Sequence, residues 1–101
     1  MQCYVIKTQQ IEKETDEYCN YDWESFGNLT FEEKNAEYQR IIEIELQREE
    51  SWEFYFNKLS EFVFDDDRLK RVARKITYLA ILIETLKYVI TRMELEIMLL
   101  E

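Results

Sequence analysis

Residues 66–101 read DDRLKRVARKITYLAILIETLKYVITRMELEIMLLE, and the phase of this stretch decides the fold. Every third and fourth residue from Leu69 gives Leu69, Val72, Ile76, Leu79, Ile83, Leu86, Ile90, Met93, Ile97 and Leu100. An unbroken 3-4-3-4 apolar repeat puts all ten side chains on one stripe of an α-helix. No Gly or Pro interrupts it, and Asp65, Asp66 and Asp67 supply the N-cap and first-turn carboxylates that suit a helix dipole. At ~1.5 Å per residue the helix runs about 54 Å, longer than a small domain is wide. It requires a partner of similar length, in the same chain or in a second copy.

Working back toward the N-terminus, Phe64 to Asp66 is a connection short enough to make its flanking helices antiparallel neighbours. The preceding helix starts at a visible signal. Thr30-Phe31-Glu32-Glu33 is a Thr-x-x-Glu capping box behind the Gly27-Asn28 turn. From Phe31, the residues Tyr38, Ile41, Ile42, Trp52, Tyr55, Phe56, Leu59, Phe62 and Val63 fit a helical stripe. The polar run Gln47 to Glu50 and the alternation of Ile42, Ile44 and Leu46 leave a break near Ser51 open. No strong breaker is present, so near-continuity over 31–63 is the expectation. Residues 8–18 read as a short first helix, with Ile11, Thr15, Tyr18 and Cys19 on one face. Tyr21 to Phe26 settle on no period. Residues 1–7 read as a short strand or extended arm.

With one Gly and no Pro in 101 residues, turns are few and long helices economical. The expected fold is all-α: one helical domain over 1–101, with an N-terminal arm and short helix (1–27), an acidic helix or helix pair (30–64) and the long C-terminal helix (66–101). Its core is a long antiparallel helical hairpin that dimerises into a helical bundle. The ten-residue stripe packs on the 31–63 helix and doubles as the expected oligomer interface. Ile81, Leu82, Val89, Leu95, Met98 and Leu99 lie outside it, so either the N-terminal segment or a second copy must cover them.

The net charge of −9 is uneven. Residues 1–65 carry 16 acids against 6 bases, and 66–101 carry 6 against 7. Direct nucleic-acid binding is therefore not expected, since affinity there comes from Lys and Arg. The basic run Arg68, Lys70, Arg71, Arg74 and Lys75 reads as balance for neighbouring carboxylates. No stretch is apolar for the ~20 residues a bilayer crossing takes, so no membrane contact is expected. Cys3 and Cys19 are too few for a disulfide scaffold, and no signal peptide is visible, which points to a reducing, cytoplasmic setting.

Chemistry is sparse. The absence of histidine removes Ser/His, Cys/His and di-iron arrangements and leaves zinc short of its usual ligands. No glycine-rich phosphate loop is present. Neither a metal nor a cofactor is expected, and the chain reads as non-catalytic. Glu49-Glu50-Ser51-Trp52-Glu53 resembles, over these five residues, the magnesium-binding helix of the all-α MazG-type nucleotide pyrophosphatases, which also form helical dimers. That resemblance implies a metal-dependent enzyme as the alternative. The family's second E-x-x-D motif has no counterpart, because Glu61 precedes Asp65 by four and the C-terminal helix offers no such pair.

The leading expectation is a small acidic interaction module. Glu43, Glu45, Glu49, Glu50 and Glu53, with Glu12, Asp16 and Glu17, form its candidate partner-binding surface. The partner would be a protein, in the sharper form a basic nucleic-acid-binding one. The module would then inhibit as a nucleic-acid mimic, similar in size and charge to small phage-encoded anti-restriction and anti-CRISPR proteins. A plain oligomeric scaffold is the other reading.

Overall fold

The computed structural model describes residues 12–62 and 65–100, and among these it is helical with no strand. Helix α1 covers 12–19, α2 Trp23–Gly27, α3 Phe31–Lys58 and α4 Asp66–Met98. A 3-10 turn, Leu59–Phe62, tightens the end of α3. The expected strand or arm at 1–7 lies outside the described residues.

The starts of α2, α3 and α4 each have a local cause. Thr30 Oγ1 accepts from the Glu33 amide at 3.2 Å while Glu33 Oε1 accepts from the Thr30 amide at 3.1 Å, completing the capping box. Asp65 caps α4 by accepting from the Arg68 amide at 3.1 Å. Asp22 does the same for α2, accepting from the Ser25 amide at 3.0 Å and from its hydroxyl at 2.6 Å. Helix α3 runs unbroken through Ser51, whose hydroxyl turns back onto the Gln47 carbonyl at 3.0 Å. The 42–46 alternation is thus wound into a helix, since neither Gly nor Pro stops it.

The two long helices pair antiparallel along a molecule 55 Å in its longest dimension. The repeat of α4 faces α3. Val72, Leu79, Ile83, Leu86, Met93 and Ile97 are buried, Leu69, Ile76 and Ile90 are half-buried, and Leu100 is exposed. The six buried side chains hide their apolar surface within the protomer.

The remaining apolar positions of α4 divide. Leu82 and Val89 are fully buried in a cluster with Phe26, Ile41, Leu86 and Met93, flanked by Tyr18, Tyr21, Trp23, Leu29, Tyr38 and Ile44. So the N-terminal segment covers that side of α4. Ile81, Leu95, Met98 and Leu99 stay exposed. Polar contacts tie α1 and α2 across both long helices. Arg48 Nη2 of α3 donates to Glu14 Oε2 of α1 at 2.7 Å, and Tyr21 Oη donates to Glu37 Oε1 at 2.8 Å. The Arg92 guanidinium lies over Trp23, 4.1 Å from the ring centre.

Candidate functional site

Helix phase determines where the carboxylates go. Successive residues turn by about 100°, so Glu49 and Glu53 lie on one flank of α3, beside the stripe that meets α4. Glu43 and Glu50 lie on its outer side, exposed. From α4, Ala80, Ile83, Glu84 and Lys87 face the same flank. Together with Trp52 they line an open hollow of about 370 Å³. Three carboxylates and an indole line it, and two of the carboxylates approach one ammonium group. Lys87 Nζ is 3.6 Å from Glu49 Oε1 and 4.0 Å from Glu84 Oε1.

Beneath the hollow sits Glu45, only 8% exposed. Burial pushes its carboxyl above the usual range; a hydrogen bond to Glu49 and the charge of Glu49 push the same way, and Lys87 opposes them. Glu45 is therefore an inward support for Glu49, not a surface carboxylate, and this corrects its place in the expected docking set. Its position one turn before Glu49 on the inward side of α3 is the reason.

Helix α1 packs on the opposite flank. Glu12 and Asp16 line a separate hollow of about 320 Å³ with Thr15, Tyr78 and Ile81, and Glu17 is exposed. On α4, Tyr78 and Ile81 point to one side and Ile83 and Lys87 to the other. The eight expected carboxylates thus divide into Glu49 and Glu53 in the cleft, Glu43 and Glu50 outside it, Glu45 below it, and Glu12, Asp16 and Glu17 across the hairpin. Sequence reading missed Glu84, Lys87 and Trp52 as members of the cleft. Only the register of the hairpin brings them to Glu49.

Of the three Glu residues in the pyrophosphatase-like stretch, Glu49 and Glu53 face the cleft while Glu50 turns outward. No group of three or more acidic or cysteine residues among those described is placed to hold a metal ion. Three residues of the basic run have partners within the protomer. Arg68 Nε lies 3.6 Å from Asp65 Oδ2, Arg71 Nε donates to the Asp67 carbonyl at 3.2 Å, and Lys75 lies over the Tyr55 ring at 5.4 Å. Cys19 is exposed with Sγ 3.8 Å from Thr85 Oγ1; Cys3 is outside the described residues. No helix among the described residues is long and apolar enough to cross a membrane.

No family model, curated protein or solved structure matches the chain. The functional reading therefore rests on the geometry alone.

Away from the cleft, a second polar cluster is structural. Arg40 grips Glu37 through Nη2 at 2.6 Å and Nε at 3.0 Å. That paired hydrogen bond holds the Glu37 carboxyl below its usual range. Tyr21 is pushed well above the ordinary phenol value, first by burial and then by donating to Glu37. The cluster fastens the N-terminal segment to α3.

Proposed function

We propose that the protein is a non-catalytic protein-binding module that receives basic side chains of a partner in the cleft between α3 and α4. Glu49, Glu53 and Glu84 carry the charge, Trp52 provides an aromatic wall for an Arg or Lys stem, and Lys87 sets the register. The observation behind this reading is the convergence of those three carboxylates from two packed helices on a hollow that holds a single cation. Side chains on rigid elements meet an incoming charge with less ordering cost than carboxylates on loops.

A basic nucleic-acid-binding protein is the partner class this surface suits, and the module would act there as an inhibitor. The mimicry is local. Helix α3 carries eight acids and four bases over 28 residues, roughly 42 Å of axis. Duplex DNA carries one charge per ~1.7 Å. Competition would therefore rest on a few matched carboxylate contacts and not on a duplex-like field.

The test uses a nona-arginine peptide and two variants that remove the same formal charge. Glu49→Gln/Glu53→Gln/Glu84→Gln in the cleft should weaken binding at least ~10-fold at 50 mM salt, and raising salt to 200 mM should do likewise to the wild type. Glu12→Gln/Asp16→Asn/Glu17→Gln on the far flank should change it less than about threefold. Equal losses would reduce the cleft to bulk charge and refute the reading. The oligomeric-subunit reading draws on a different feature, the exposed apolar face of α4.

A further inference from the structure

The side of α4 pointing away from α3 carries Ile81, Tyr88, Leu95 and Leu99. At about 100° per residue they fall within roughly 40° of one another. They are 48%, 62%, 57% and 86% exposed. Their free surface is on the order of 450 Å², which matches the largest apolar patch of a typical monomer, a size that commonly marks an interface. Helices α1 and α2 run along one edge without covering it: Glu12, Thr15 and Asp16 border Ile81 across an open hollow, Cys19 reaches Thr85, and Trp23 reaches Arg92.

We propose that this face docks on the same face of a second copy, antiparallel, with the two-fold axis beside Tyr88. This inference is independent of the acidic cleft. Charge selects the occupant. Residues 1–65 hold an excess of ten acids, while 66–101 hold six acids and seven bases. Helix α4 is thus where two copies of a chain of net charge −9 meet with little repulsion.

Charge also selects the direction. Lys70, Arg74 and Arg92 lie along the same outer face, and a parallel pair would set each against its own copy. In the antiparallel pair Ile81 meets Leu95 of the other copy, and Arg92 falls within one residue of Thr85. Tyr78 comes level with Met98, the last residue of the other α4, and Arg74 lies about 6 Å beyond it, facing the negative end of the helix dipole. With its polar edges, each copy would bury about 600 Å², giving about 1,200 Å² in all, the lower edge for a specific interface. Dissociation is accordingly expected at ~10–100 µM.

Sedimentation equilibrium from 2 to 500 µM should show a monomer–dimer equilibrium. Tyr88→Glu, with Leu95→Glu as a second variant, should weaken it at least ~30-fold while far-UV circular dichroism and dilute-solution melting stay unchanged. In a Cys3→Ser/Cys19→Ser background, Ile81→Cys mixed with Leu95→Cys should form a disulfide-linked heterodimer under mild oxidation, and either alone should not. A chain still monomeric at 500 µM would overturn the proposal, as would glutamate variants that pair like the wild type. So would Ile81→Cys cross-linking to itself as fast as in the mixture.

Discussion

Leu82 and Leu95 are the same residue type on the same helix, and neither belongs to the stripe that meets α3, yet the structure assigns them opposite costs. Leu82 is fully buried beneath Phe26 and the aromatic residues of the N-terminal segment, whereas Leu95 faces solvent. Leu82→Ala removes an isobutyl group from a closed cluster, which costs its transfer free energy and leaves a cavity that fixed helices cannot collapse. The expected loss is about 3–4 kcal/mol. A domain this size has about 5–15 kcal/mol of stability to lose, so the melting temperature should fall on the order of 15–25 °C. Leu95→Ala should cost about 0.5 kcal/mol or less. Urea unfolding followed by far-UV circular dichroism at low micromolar concentration, where the proposed dimer is dissociated, measures both. A cycle with Phe26→Ala should show coupling on the order of 1 kcal/mol, because Phe26 and Leu82 share one cluster. If the two alanine variants differ by less than about 1 kcal/mol, the N-terminal segment does not seal that side of α4, and the packing of that segment over Leu82 and Val89 is wrong.

Glu45 gives a pH-dependent prediction whose sign follows from its raised carboxyl. The fold holds a proton that the unfolded chain has released, so the stability tied to that proton is complete below the unfolded value of ~4.3 and is lost as pH rises through the folded one. Glu45→Gln, always neutral, should therefore raise the urea midpoint at pH 7 and match the wild type near pH ~3; a variant weaker than wild type at pH 7 would contradict the assignment. Thr30→Ala opens the capping box at the start of α3 and should cost about 1 kcal/mol, with amide exchange accelerating at Glu33 but not in mid-helix; uniform acceleration would mean the cap is not local.

What could be seen from sequence followed from how loudly each helix announces its phase. Helix α4 was legible because ten apolar residues hold one repeat with nothing to interrupt it. Helix α3 keeps an equally strict repeat, Lys34, Tyr38, Ile41, Glu45, Arg48, Trp52, Tyr55 and Leu59, all buried or half-buried. Three of those eight are charged, so a reading based on hydrophobicity finds Tyr38, Ile41, Trp52, Tyr55 and Leu59 and misses the three that fill the gaps between them. Lys34 is accommodated over the Phe26 ring at 5.6 Å, Arg48 by Glu14, and Glu45 by a raised carboxyl. Each solution depends on a residue outside α3 or on a titration, and the apolar pattern of the helix shows neither. Helix α2 escaped notice because five residues cannot establish a period; its signal was Asp22 three residues before Ser25, a cap without a stripe. The candidate cleft was half visible. Charge alone pointed to Glu49 and Glu53, but Glu84 and Lys87 join them through hairpin register, which no single-helix pattern specifies.

The geometry of one hairpin constrains how the two proposals combine. Around α4, α3 occupies one side, the proposed dimer face the opposite side, α1 and α2 one flank, and the acidic cleft the other. Two antiparallel helices packed side by side can be exchanged only by a two-fold axis perpendicular to the plane containing both. Such an axis keeps each flank on its own face of the dimer, so both clefts would open on one face and both N-terminal segments on the other. The cleft residues of α4 centre near Ile83, about five residues from Tyr88, which offsets the two clefts by roughly 15 Å along the helix direction. Two acidic hollows at that spacing suit one partner with two basic elements, and simultaneous engagement would turn two weak contacts into a much tighter one. Dimerisation through the stripe that faces α3 would offer no such arrangement, because six of its ten side chains are already buried and the hairpin would have to open to release them.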